Sequence, residues 1–214
     1  MNRKFQELPK EKQERIILAG MEIFGKNGYK KALTDDIAHH AGISKGLLFH
    51  YFKDKKSFYL YIFDYCEKIV RKNIKVEDIK NIDDFFDLID YGAEKKLQLI
   101  KKHPYMVNFV LKAYLSHKEA ISDELNIRIQ NLYDSVYDEY FQYIDFYKFK
   151  DNIDPHDIYH MMVWMAEGYL VDRQRFDQPF DIDVFLIEFQ KWKKMFKTMC
   201  YKEEYLWALL KLII

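Results

Sequence analysis

The chain has 214 residues, of which 49% are hydrophobic and 32% charged, a composition typical of a globular protein and not of a disordered one. No apolar run approaches the roughly 20 residues needed to cross a bilayer, and the charged first residues do not fit a signal peptide. Two cysteines, Cys66 and Cys200, without any CxxC spacing exclude a disulfide framework and a cysteine zinc site. We therefore expect a cytoplasmic protein that has no membrane partner and no cofactor.

Charge is distributed unevenly along the chain. Residues 1–56 contain 12 Lys and Arg against 7 Asp and Glu, whereas residues 57–214 contain 22 against 27. The first segment also has five of the seven glycines but only six of the 37 aromatic residues. This contrast predicts two domains, 1–56 and 57–214, of which the first has short helices, tight turns and an anionic partner.

Helix signals dominate both segments, because the strand-favouring residues Thr and Val are scarce. Each predicted helix of the first segment has a residue suited to begin or end it. These helices cover about 10–27 (ended by Gly28), 35–41 (capped by Thr34), 45–51 (capped by Ser44) and a fourth from 55 (capped by Asp54). The sequence thus predicts an all-α protein with a three-helix head followed by a helical bundle.

The second and third predicted helices are joined with the spacing of a helix-turn-helix. Gly42 can adopt the positive φ that the turn requires, and Ile43 fills the angle between the two helices. The third helix would then place its first residues at base edges in the major groove of DNA. Candidates for contacts to bases or phosphates on this helix are Lys45, Gly46, Leu47, His50 and Tyr51.

Lys55 and Lys56 lie in the first turn of the fourth helix, where the helix dipole disfavours a cation. An external anion such as a DNA phosphate would reverse that preference. For the two lysines alone a solvated charge pair is an equally good interpretation, but beside a helix-turn-helix the phosphate is favoured.

The run from Thr34 to Lys55, TDDIAHHAGISKGLLFHYFKDK, resembles the signature of the TetR family of transcriptional regulators. The segment IFGKNGY, residues 23–29, is similar to the part of the family pattern that precedes it. The resemblance covers roughly the first 60 residues and does not extend to the remainder, where that family diverges.

The resemblance implies a homodimeric regulator, usually a repressor and not an enzyme, that binds a near-palindromic operator in double-stranded DNA. A small-molecule effector, bound by the second domain, would release the DNA. By position, Thr34, Tyr51 and Lys55 would contact phosphates. Gly46 would allow close approach, and the groove would be faced by Ser44, Lys45, Leu47 and His50. Phe49 departs from the tyrosine common in the family, so we expect it to contribute packing or an apolar contact.

Two apolar stripes near the end of the chain predict the dimer surface. One lies on a helix from Pro155 to about Phe176 and the other on a helix from about Asp181, with coiled-coil-like spacing. Either stripe alone fits the core of its own chain equally well; together they favour a four-helix bundle across a two-fold axis. The predicted dimer residues are Met161, Met165, Gly168, Phe185, Phe189, Trp192 and Phe196.

The aromatic residues and methionines of the second segment suit a pocket for a small, largely apolar effector, although most of them will form ordinary core. Glu167 lies in an apolar stretch and can accept a cationic group, or simply pair with Lys, Arg or solvent. The predicted lining residues are Tyr105, Phe109, Tyr114, Tyr133, Tyr137, Trp164 and Glu167.

Two other classes of function stay open from the sequence. His156 and His160 are spaced to share a helix face and bind zinc, as in a metal-dependent hydrolase, but no third ligand is evident. A helical adaptor that does not bind DNA would use the basic head as a protein or membrane contact. The tight turn at Gly42 argues against the adaptor, because a surface-lying amphipathic helix needs no such corner.

Overall fold

The computed structural model describes residues 3–116, 120–176, 178 and 180–206. In these residues the structure confirms an all-α fold, with a helix-turn-helix followed by a helical bundle. An isolated antiparallel bridge pairs Phe149 with Tyr201. The α-helices are α1 (Arg3–Gln6), α2 (Lys10–Lys31), α3 (Thr34–His40), α4 (Lys45–Phe52), α5 (Lys55–Asn73), α6 (Val76–Ile79), α7 (Phe85–Lys102), α8 (Pro104–Tyr114), α9 (Ser122–Phe141), α10 (Pro155–Arg175) and α11 (Ile182–Cys200).

The helix limits predicted for the head are largely confirmed. Gly28 has φ 71° and interrupts α2 where the predicted helix ends. Ser44 caps α4 by accepting a hydrogen bond from the Leu47 amide at 3.2 Å. The prediction that Thr34 caps the next helix is wrong, because α3 already includes Thr34 and its N-cap residue is Leu33, which offers no side-chain acceptor.

A short helix at the start of the chain was not predicted. Its single apolar side chain, Phe5, is completely buried and packs against Phe52 and Tyr61, with ring centroids 4.6 and 5.5 Å apart. The first turn of the chain therefore supplies a core residue of the head. One aromatic residue among charged neighbours has no periodicity that would have indicated this.

The chain forms two compact units. The first contains the described residues of 1–74 and 93–132, and the second contains those of 75–92 and 133–214. The first unit therefore joins the head to α8 and the start of α9. These units reflect packing alone, so the functional boundary between residues 56 and 57 stays a prediction.

In the first unit, α8 packs directly on α2 through an aromatic core. The ring of Phe24 lies 4.8 Å from that of Tyr59, which lies 4.8 Å from that of Phe109. At Gly25 the helices meet backbone to backbone, since a Cβ added there would lie 2.9 Å from the Phe109 nitrogen. A glycine at this position is thus required by close helix approach, not by its φ angle.

We expect Gly25→Ala to destabilise the protein by about 1–3 kcal/mol, because the added methyl meets backbone that no side-chain rotation relieves. The urea midpoint measures the loss. The matched control is Gly92→Ala in α7, where an added Cβ meets nothing within 4 Å and helix propensity alone should raise stability by up to about 1 kcal/mol. Equal midpoints for both variants would show that α2 and α8 are not in tight contact.

The second unit has its own aromatic core and a buried ion cluster. Phe85 packs against Phe141 and Phe149 at 5.0 and 5.2 Å. Beside this core, the Asp84 carboxylate is only 5% exposed and lies 3.2 Å from the Nζ atoms of both Lys148 and Lys197. Burial disfavours the charged carboxylate, but the two ammonium groups outweigh it and keep the pKa of Asp84 below its ordinary value.

No helix in the described part of the chain is both long enough and apolar enough to span a membrane.

Candidate nucleic-acid interface

The turn between α3 and α4 has the predicted geometry. Gly42 has φ 62°, in the left-handed region that favours glycine. The Ile43 amide donates to the Ala38 carbonyl at 3.0 Å, and Arg15 of α2 donates through Nε to the Ala41 carbonyl at 2.8 Å. The corner is therefore fixed both by its own hydrogen bonds and by a side chain from a neighbouring helix.

One face of α4 packs into the head and the other is available to a partner. Leu48, Tyr51 and Phe52 are buried. On the other face Leu47 and Phe49 are half-buried, and four predicted contact residues are exposed: Ser44, Lys45, Gly46 and His50. At Gly46 an added Cβ would meet nothing within 4 Å, so the protein leaves open space there.

Tyr51 and Thr34, predicted to contact phosphate, are less accessible. Tyr51 is 6% exposed, and its ring lies 5.7 Å from that of Phe5 in the core of the head. Thr34 is half-buried at the start of α3. Any phosphate contact of Tyr51 is thereby restricted to its hydroxyl group.

The two lysines at the start of α5 differ in their surroundings. Lys56 forms an ion pair with Glu124. Lys55 donates to the Lys30 carbonyl at 3.4 Å, and its Nζ lies 4.8 Å from the centre of the Tyr29 ring. A phosphate contact of Lys55 stays a prediction.

The cap of α5 also bears on this site. The Asp54 carboxylate accepts a hydrogen bond from the Ser57 amide at 2.7 Å, which lowers the pKa of Asp54. The carboxylate therefore stays ionised and already occupies one free amide of this helix start.

Asp35, which the sequence analysis did not select, lies directly beside the contact residues. Its Oδ2 atom accepts a hydrogen bond from Lys45 Nζ at 2.8 Å. The two residues are ten positions apart and come from different helices. No helical spacing rule connects them, so only the folded corner reveals the pair.

The turn is compact and leaves the start of α4 exposed, with a lysine and a histidine in solvent. These features define a DNA-binding helix-turn-helix protein. Comparison with known families agrees: residues 16–62 match the model of bacterial regulatory proteins, tetR family. The amino-terminal segment of the chain is therefore a DNA-binding domain of the TetR family.

Curated relatives are transcriptional regulators. The chain is 28% identical over 111 residues to an uncharacterized HTH-type transcriptional regulator, YerO, of Bacillus subtilis, a match of 52% of this chain and 34% of that protein. It is 29% identical over 104 residues to the HTH-type transcriptional activator FasR of Mycolicibacterium smegmatis, covering 44% of this chain and 48% of that one. These matches thus span half or less of either relative.

A solved structure matches over most of the chain. The transcriptional regulator FadR of Bacillus subtilis, in complex with stearoyl-CoA, has a TM-score of 0.63 and 19% identity. The match covers 85% of this chain and 96% of that one. At this identity the likeness establishes a shared fold, with a helix-turn-helix head and a helical bundle.

The predicted dimer residues lie in two different environments in the second unit. Met161 and Gly168 are exposed on α10, and Met165 is half-buried. On α11, Phe185 and Trp192 pack against Tyr169 of the same chain, with centroids 5.4 and 6.0 Å apart. Phe189 and Phe196, on the same stripe of α11, are half-buried.

Three of the strongly exposed apolar residues of α11 lie outside the predicted stripe, and the fourth, Met199, lies at its end. They are Val184, Ile187, Met195 and Met199, and on α10 Trp164 is exposed with Met161. These six residues are called the exposed apolar face below. The predicted stripe of α11 is thus turned, at Phe185 and Trp192, toward Tyr169 of α10.

The predicted effector residues fall into both compact units. In the first unit, Phe109 is fully buried in the core, Tyr114 is half-buried and Tyr105 is exposed. In the second unit, the Tyr133 hydroxyl donates to Glu167 Oε1 at 2.6 Å. Glu167 therefore accepts from a tyrosine hydroxyl, a partner that its sequence context does not predict.

The remaining predicted lining residues lie on α9 and α10. The Tyr137 ring contacts the His156 ring at 4.7 Å, and burial raises the pKa of Tyr137 to about 12. Trp164 is exposed, with its ring 5.9 Å from that of His160. The lining of an effector pocket stays a prediction.

The histidine pair of the hydrolase alternative is close but incomplete. The Nε2 atoms of His156 and His160 lie 3.1 Å apart, and Asp134 Oδ1 lies 3.9 Å from the latter. Within the described residues, no group of three or more His, Cys, Asp or Glu side chains is arranged to bind a metal ion. The pair fits a hydrogen bond between two imidazoles.

Proposed function

We propose that the protein is a ligand-responsive repressor that acts in the cytoplasm and binds a near-palindromic operator in double-stranded DNA as a homodimer. A small, largely apolar effector releases it. The observation that carries the proposal is the exposed start of α4, where Ser44, Lys45, Gly46 and His50 face solvent on a rigid corner. Such a helix start fits the major groove with its first residues at base edges.

The homodimer is supported by the exposed apolar face of α10 and α11. Trp164 and Met195 are among its most exposed members, although large apolar side chains favour burial. A second copy of the chain, related by a two-fold axis, would cover the face with an identical one. Two heads set about 34–36 Å apart would then reach successive major grooves.

The effector belongs to the second domain in this proposal. FadR, with which the chain shares its fold, was solved with stearoyl-CoA bound, which gives an acyl ligand as a first probe. Weaker binding of operator DNA on addition of stearoyl-CoA would support an acyl effector. Unchanged binding would exclude stearoyl-CoA as the effector and leave the DNA-binding proposal standing.

The central experiment is selection from a randomised duplex library with the full-length protein. Enrichment of a near-palindromic sequence supports the proposal, and absence of enrichment contradicts it. A reporter gene placed behind the selected sequence then gives the sign of regulation. Repression predicts that expression rises when the protein is removed, whereas an activator, as FasR is named, predicts that it falls.

We expect Lys55→Gln to weaken binding to all duplexes alike, by about fivefold near 0.15 M salt, because one phosphate is no longer neutralised. The slope of log affinity against log salt should fall by about one. Fluorescence anisotropy across a salt series measures both quantities. Lys56→Gln is the matched control, because it removes the same charge from the adjacent position. Since Lys56 is paired with Glu124, this variant should change the slope less. Equal slopes for wild type, Lys55→Gln and Lys56→Gln would show that Lys55 does not contact a phosphate.

A further inference from the structure

The helix-turn-helix presents a paired donor and acceptor at its outer surface. Lys45, the first residue of α4, donates to Asp35 of α3 at 2.8 Å. Both side chains remain accessible, with 48% of Lys45 and 66% of Asp35 exposed. The pair therefore lies where the proposed function places the bases of the DNA.

The stability of the fold does not explain the ion pair between Asp35 and Lys45. An exposed ion pair of this kind contributes little to folding, with a typical range of about 0–1 kcal/mol. A carboxylate on a DNA-binding surface also repels phosphates and cancels the charge of the lysine that it contacts. What Asp35 adds to this surface is a hydrogen-bond acceptor held at a fixed distance from a donor.

A G·C base pair offers the complementary pattern in the major groove. Guanine presents two adjacent acceptors, O6 and N7, and cytosine presents the N4 amino donor next to them. The lysine ammonium has three donors, so Lys45 can keep its bond to Asp35 while it donates to guanine. An A·T pair matches less well, because its amino donor, adenine N6, lies between its two acceptors, adenine N7 and thymine O4, and the acceptors are therefore not adjacent.

We propose that Asp35 and Lys45 act as one unit that reads a G·C pair, with Lys45 donating to guanine O6 and N7 and Asp35 accepting from cytosine N4. This inference rests on the proposed DNA-binding function and names the base pair that its corner selects. Asp35 thereby sets specificity, even though its charge lowers the affinity for DNA in general.

Selection from a randomised duplex library tests the inference with wild type, Asp35→Ala and Lys45→Met. Wild type should enrich a G·C pair at a fixed position of each half-site. Both variants should lose the preference at that position by about tenfold or more. Because the two side chains act as a unit, the double variant should lose no more than either single one. Asp35→Ala should also bind unselected duplexes more tightly, since a repulsive charge is gone.

Asp36→Ala is the matched control, because it removes the same charge from the next exposed position of α3. It should raise affinity for unselected duplexes and leave the preferred bases unchanged. If Asp35→Ala selects the same bases as wild type, or if Asp36→Ala loses the preference equally, the inference is overturned. If wild type enriches no sequence at all, the proposed function falls and the inference falls with it, a result distinct from the other two.

Discussion

Replacing Ile187 by lysine is expected to convert the protein to monomers and to weaken binding to a two-half-site operator by about a hundredfold or more. Ile187 is 58% exposed in the exposed apolar face, and a second copy would bury it against an identical surface. A lysine there would bring one charge from each chain into the proposed interface, where desolvation is costly. Sedimentation gives the mass of the particle, and anisotropy gives the affinity.

Ile127→Lys is the control for this experiment. Ile127 is 61% exposed on α9, so the same substitution adds the same charge at similar exposure outside the proposed interface. It should remain dimeric with operator affinity near that of wild type. For Ile187→Lys, affinity for a single half-site should be preserved, because the head is intact. A dimeric Ile187→Lys protein would show that another surface joins the two chains.

The second large effect is expected from Asp84→Asn, which should reduce the free energy of unfolding at neutral pH by about 3 kcal/mol. The asparagine side chain is nearly isosteric but leaves Lys148 and Lys197 without their shared buried carboxylate. Asp83→Asn is the matched control, because Asp83 is 83% exposed and lies 3.8 Å from Lys148. Asp83→Asn should reduce the free energy of unfolding by less than about 1 kcal/mol.

The destabilisation by Asp84→Asn should depend on pH in a defined direction. The pKa of Asp84 is lower in the folded protein than in the unfolded chain, whose value is about 3.9. The stabilisation is therefore complete above the unfolded pKa and is lost as the pH falls through the folded one. Urea midpoints of wild type and Asp84→Asn should converge as the pH is lowered below about 4. A constant difference would mean that the cost comes from lost packing and not from charge.

The head could be predicted from the sequence because its signals are local. Gly42, Ser44 and Asp54 each act through backbone within a few residues, and each takes the predicted role. Phe5 was missed because its partners come from elsewhere in the chain. Asp35 was missed for the same reason, since its contact with Lys45 exists only across the folded turn.

For the second segment, the sequence predicts the helices but not the contacts that their apolar stripes make. Its helices follow from periodicity, but periodicity does not say which neighbour covers an apolar stripe. Phe185 and Trp192 fit a dimer seam by spacing, and yet Tyr169 of the same chain lies against them. The residues that stay exposed, such as Ile187 and Met195, were identified only by the fold.

Through the backbone contact at Gly25, α2 connects α8 directly to the helix-turn-helix. Arg15, ten residues earlier on α2 and so about 15 Å along it, holds the Ala41 carbonyl at the turn. No flexible side chain separates α2 from the backbone of Asn108 and Phe109. Little of a displacement of α8 would therefore be absorbed between the two helices. We therefore expect a displacement of α8 to move α2 together with the α3–α4 turn.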